Sequence, residues 1–258
     1  MRPLLALLLV SAVVWAQAKP APEAQKPKKP KAGDIQIPDP GARIEDSSVA
    51  SREVARFQTA FKAAKTQKER LEALEALGRW DHPLVLKAAA RLLRDRDWKV
   101  AVKAAVVCAR QASCKGKAGK TLLGALKREK RTNVACAELV GMGRLGFRSR
   151  SSIRVAIKYI RRDTTETHKA ATRYLGYIKY KEGFRLLAEF LDEPAPKRPD
   201  DPKNPPASYW KARWYEWDSN VPYTRWALSQ FVPGETFETR REAKEWAETE
   251  GRKYGIKW

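Results

Sequence analysis

The feature that most restricts this chain is a period. Helix-ending pairs recur at Leu77-Gly78, Cys108-Ala109, Met142-Gly143 and Leu175-Gly176, and their second members are 31, 34 and 33 residues apart. Small residues return upstream of each: Ala73, Ala104 with Ala105, Ala137, and Ala170 with Ala171. On one helical face they allow close helix approach, and a small residue near the helix end allows a tight exit. A unit this short holds two helices and cannot bury its apolar face alone, so units built alike must stack.

The unit over 131–163 shows the pattern. Val134, Leu139, Val140 and Met142 fall at helical spacing over 132–145, a turn occupies 146–149, and Ser151 or Ser152 can cap a second helix. That helix puts Ile153, Ile157 and Ile160 on one stripe and Arg150, Arg154, Lys158 and Arg161 on the next. Similar pairs are expected over 68–79 with 84–94, 98–111 with 117–129, and 165–180 with 182–191. An opening helix carries Val54, Phe57, Phe61 and Ala64. Asp81 can cap the helix that Pro83 opens. At 43% hydrophobic and 32% charged residues, without sustained apolar–polar alternation or Asn-Gly and Asp-Gly turns, the globular part should be nearly all helical.

Asp97-x-x-Val100, Ala104-Ala105, Arg70-x-x-Ala73 and Ala76-Leu77-Gly78 resemble the HEAT-repeat pattern, in the short variety known as PBS-lyase HEAT-like repeats, of exported bacterial type. The resemblance covers about 68–193 and implies an all-α fold: an α-solenoid of stacked helix pairs. The family's usual Val-Arg pair is replaced here by Val100-Ala101 and Val134-Ala135. The pattern speaks to fold far more than to activity.

Both ends depart from the repeat. Arg2 precedes an apolar run over 4–15, and Ala16-Gln17-Ala18 has the small-x-small form of a cleavage site. The run is shorter than the roughly 20 residues that span a bilayer, so 1–18 is expected to be a cleaved signal peptide, with an uncleaved anchor as the alternative. That makes the protein exported, periplasmic or extracellular, with no membrane contact beyond the signal. Prolines and lysines over 19–45 predict a disordered linker. After Leu191 the period fails. Gly176 and Ser229 are 53 residues apart, and the extra sequence is a proline- and aromatic-rich insertion before a C-terminal capping helix pair, so that 46–193 is the solenoid and 194–258 the insertion and cap. Trp210, Trp214 and Trp217 share one helical face, as residues sealing a terminal core would; the competing reading is an exposed surface on which sugars or bases stack. A new helix is expected from Asn220 and Pro222, and Trp98 and Trp246 are read as packing residues.

The formal net charge is +22, and it is unevenly spread. Residues 115–162 hold 14 Lys or Arg against Glu129 and Glu138 alone, a net of +12, whereas 194–258 hold 12 basic and 10 acidic residues. If second helices line one face, Lys120, Lys127, Arg128, Arg150, Arg154, Lys158 and Arg161 form a basic surface fit for an acidic protein or a polyanion. A solvated face that only keeps the protein soluble is the plainer reading.

Catalytic patterns are missing. His82 and His168, the two histidines, lack metal spacing and read as a helix-start and a helix-surface residue. Gly119-Lys120-Thr121 is like the end of a phosphate loop, but Cys114 stands where that loop needs its first glycine and no strand precedes it. No cofactor is implied. Among three cysteines, Cys108 with Cys114 can close a helix-to-loop disulfide, and Cys108 and Cys136 read as packing residues. The expectation is a non-enzymatic scaffold or adaptor that binds a protein. One alternative is polyanion binding, to nucleic acid or an envelope polymer. Another is an enzyme of the HEAT-like DNA-glycosylase or bilin-lyase kind, which the export signal disfavours.

Overall fold

The computed structural model describes residues 35–161, 165–196, 198–199 and 201–258. The signal segment and residues 19–34 of the linker lie outside them. Of the described residues 67% are helical. In order come β1 (Ala42–Arg43), α1 (Ser47–Ala63), α2 (Gln67–Leu77), β2 (Trp80–Asp81), α3 (Pro83–Ala90), α4 (Trp98–Ala109), α5 (Lys115–Leu126), α6 (Thr132–Arg144), α7 (Arg150–Ile160), α8 (Thr165–Tyr177), α9 (Phe184–Ala188), α10 (Ala207–Phe231) and α11 (Arg240–Thr249).

Local sequence chooses the helix starts. Thr66 with Glu69 and Thr239 with Glu242 form reciprocal capping boxes, and Asp46 and Asp97 each accept the amide two residues on. Two expected caps are displaced, by one residue at α3 and by two or three at α7. Ser149 caps α7 with Ser152 as its reciprocal partner. His82 caps α3 through Nδ1, because the Asp81 carboxylate is taken by the Ser113 amide and hydroxyl, both at 2.7 Å.

The helices pack as pairs in sequence order. The first helices lie side by side, α2 on α4, α4 on α6, α6 on α8 and α8 on α10; second helices pack against the next first helix, α3 on α4, α5 on α6 and α7 on α8. Between these layers sits a core of Leu74, Val100, Ala104, Leu122, Leu139, Met142, Tyr174, Leu175 and Leu187, all fully buried. The small residues of the period sit at the crossings. A Cβ on Gly176 would stand 2.6 Å from the Trp226 ring, so only glycine lets α10 lie that close to α8.

Two segments depart from expectation. Residues 35–44 are an ordered strap, not spacer: Ile37 and Ile44 are buried, and β1 pairs in parallel with β2. Pro222 lies inside α10 instead of near its start. Trp217, Val221, Thr224, Leu228 and Phe231 hold one stripe at i, i+4, i+7, i+11 and i+14, so packing carries the helix through a residue that lacks an amide donor.

Candidate functional site

The seven basic residues singled out in the sequence are all exposed. Lys120 lies on α5, and Lys127 and Arg128 close it; Arg150, Arg154 and Lys158 lie on α7, with Arg161 at its C-terminal cap. Among the described residues none of the seven is ion-paired. The packing brings some of them together. α5 lies against α3, and the open groove between them, about 540 Å3, takes Lys120 and Arg128 from α5 and Arg91 and Arg94 from the end of α3. The α7 cations do not line that groove.

Arg91 and Arg94 escaped the sequence reading, although the period carried a sign of one of them. Arg94, Arg128 and Arg161 are 34 and 33 residues apart, each in the turn that follows a second helix.

One acidic residue of the central segment has an unusual place. Glu138 on α6 is 0% exposed, and neither carboxylate oxygen has a hydrogen-bond partner. Burial, reinforced by the nearby Glu129 charge, pushes its carboxyl up to about 9 against the opposing pull of Arg131 and Arg94. At neutral pH it is therefore a neutral acid.

The aromatic cluster divides. Trp217 donates its indole N–H to the Leu191 carbonyl at 3.1 Å, Trp226 meets the Tyr177 ring edge-on at 5.0 Å, and Trp246 stacks among Phe184, Phe237 and Tyr254. Trp214 is instead exposed with Tyr209 and Tyr215, the last at 57%. The expected sealing stripe thus holds at Trp217 and fails at Trp214, because α10 buries no residue before Val221. Trp98, expected to pack, is 43% exposed and lines an apolar groove of about 520 Å3 between α2 and α4, with Leu71, Val102 and Val106.

The remaining candidates are structural. His168, read as a surface residue, is buried, with Nδ1 3.0 Å from the Ile160 carbonyl and its ring edge-on to Phe190. Burial holds it below the usual histidine range. The Cys108–Cys114 bridge that the sequence allows is not formed. Cys108 points into the core from α4, and all three cysteines are free thiols whose pKa values burial raises. Among the described residues no group of histidines, cysteines and carboxylates could hold a metal ion, and no helix is long and apolar enough to cross a membrane.

No family model matches the chain, and no curated protein matches its sequence.

Proposed function

We propose that this is an exported, non-enzymatic HEAT-like α-solenoid acting as a scaffold or adaptor that binds a protein, with its central basic surface turned to an acidic partner. The observation that carries the reading is the unpaired cation set on α5, α7 and the turns after them. Acids elsewhere on the chain are taken up in pairs such as Arg70–Asp95, Arg131–Glu129 and Lys103–Glu75. Leaving so many like charges together costs self-repulsion that an anionic partner relieves. The packing of α2, α4, α6, α8 and α10 in sequence order supports the solenoid. The export signal supports a periplasmic or extracellular place.

The test is affinity capture on the secreted protein, washed at low and high salt, with mass spectrometry of what remains. A protein partner that Arg150→Glu, Arg154→Glu and Lys158→Glu together release supports the reading. A protein retained through high salt and indifferent to those substitutions moves the interface off the basic surface. The second reading, polyanion binding, rests on the same cations and predicts affinity falling linearly in log–log against salt.

A further inference from the structure

The groove between α3 and α5 has properties that a merely solvated charged face lacks. Two walls supply cations to one recess: Arg91 and Arg94 from α3 and the turn after it, Lys120 and Arg128 from α5 and its end. The surfaces between them are Ala90, Leu93, Gly124 and Ala125, with one hydroxyl, that of Thr121. No carboxylate lines the groove, and the two acids adjacent in sequence are committed elsewhere. Asp95 accepts from Arg70 at 2.6 Å and from the Asp97 amide at 2.9 Å. Both Glu129 oxygens are held by Arg131, at 2.8 and 2.9 Å. Glu138, whose carboxyl feels the Arg94 charge, is kept neutral by burial and compensates nothing. Among the described residues, Arg91, Arg94, Lys120 and Arg128 make no ion pair.

We propose that this groove is a phosphate site, which anchors a larger anion through a phosphate group held between Arg91 and Arg94 on one wall and Lys120 and Arg128 on the other. The inference deepens the basic-surface reading, on which it rests, by naming the anion and the four side chains. The chemistry favours phosphate over carboxylate. A carboxylate is planar, with two oxygens whose lone pairs lie in one plane, so it meets cations on two opposed walls less fully. A tetrahedral phosphate turns oxygens toward both walls, so it can accept from three guanidiniums and an ammonium that approach from opposite sides. The floor is Ala90, Leu93, Gly124 and Ala125 with the Thr121 hydroxyl, which already donates to the Lys117 carbonyl, so it offers little that would read a base, a sugar or a peptide, and recognition should be independent of sequence.

The test uses the full chain and two probes of matched charge, inorganic polyphosphate and poly-L-glutamate, titrated by anisotropy at several salt concentrations. The expected result is polyphosphate binding at least about tenfold tighter than polyglutamate. The Arg94→Gln/Arg128→Gln double variant should lose about tenfold or more, with a shallower salt slope, whereas Lys244→Gln/Arg252→Gln should not. Circular dichroism establishes that each variant is folded. Equal binding of the two polymers overturns the phosphate assignment and leaves an acidic-partner surface standing. Polyphosphate binding that ignores Arg94 and Arg128 moves the site off this groove. Failure of both polymers at about 50 mM salt overturns the groove and the basic-surface reading together.

Discussion

Arg110 donates from Nε to the main-chain carbonyl of Asp39 at 2.8 Å, joining the end of α4 to a segment 71 positions earlier. Arg144 reaches the Asp39 carboxylate at 3.7 Å, and the Arg79 carbonyl accepts the Ala42 amide at 2.7 Å. Residues 79, 110 and 144 each follow the small residue at the end of α2, α4 or α6, so the strap crosses the ends of three helices packed in succession. Arg173 of α8 holds the Ile35 carbonyl at 3.1 Å and extends the crossing to a fourth.

From one short segment the strap therefore holds on to α4, α6 and α8. Arg110→Ala should cost about 1–2 kcal/mol, the worth of a hydrogen bond from a charged group at a partly buried site. Ile37→Asp should cost more, since Ile37 is 8% exposed and a carboxylate there has no partner. For a chain of this size each kcal/mol lowers the melting temperature by about 2–4 °C. Unchanged thermal melts of both variants would show that the strap contributes nothing to stability.

Gly119 and Gly124 share α5 but not their surroundings. A Cβ on Gly119 would stand 2.1 Å from the Phe147 ring, whereas nothing lies within 4 Å of one on Gly124. Gly119→Ala should destabilise by about 1–3 kcal/mol, as overpacking does. Gly124→Ala should be neutral or gain up to about 1 kcal/mol from helix propensity. Urea midpoints distinguish them, and equal shifts would contradict the packing described here.

Gly119 also shows what could be read in advance. Its neighbourhood resembles a phosphate loop in letters, but its role is to admit Phe147 from a loop 28 residues on, a contact that no local pattern encodes. The helical fold was legible because small residues recur where helices pack closely, as Gly143 does against Tyr174 and Gly176 against Trp226. Element boundaries inside units followed from caps and stripes, with errors where a side chain had a distant partner, as Asp81 has in Ser113. The concentration of positive charge over 115–162 was legible, yet the meeting of α3 with α5 depends on packing between segments distant in sequence, so Arg91 and Arg94 stayed hidden. The strap was missed because its arginine partners lie far along the chain and its own composition is that of a linker.

The division of the aromatic cluster gives a direct comparison. Trp214→Ala should leave stability within about 0.5 kcal/mol, since an exposed side chain away from special features contributes little. Trp246→Ala should cost about 3–5 kcal/mol, because its ring fills the space between Phe184 and Phe237. Denaturant unfolding reads both, and a large loss at Trp214 would mean that the first half of α10 is held more firmly than its exposure indicates.

Glu138 makes stability depend on pH in the direction opposite to most carboxylates. Its carboxyl is raised to about 9 in the folded chain, from an ordinary value of 4.5. The folded state thus keeps the proton while the unfolded state releases it, and stability is lost as pH rises from about 4.5 toward 9. At pH 7 the loss is on the order of 3 kcal/mol, at 1.36 kcal/mol per unit. Glu138→Gln keeps the shape and cannot ionise, so it removes this dependence. The difference in unfolding free energy between Glu138→Gln and the parent chain should therefore be small at pH 4.5 and grow by about 3 kcal/mol in favour of the variant at pH 7. Urea unfolding of both proteins at the two pH values measures it. A constant difference would mean that the carboxylate is ionised in the fold, with a counter-charge in place of the neutral acid.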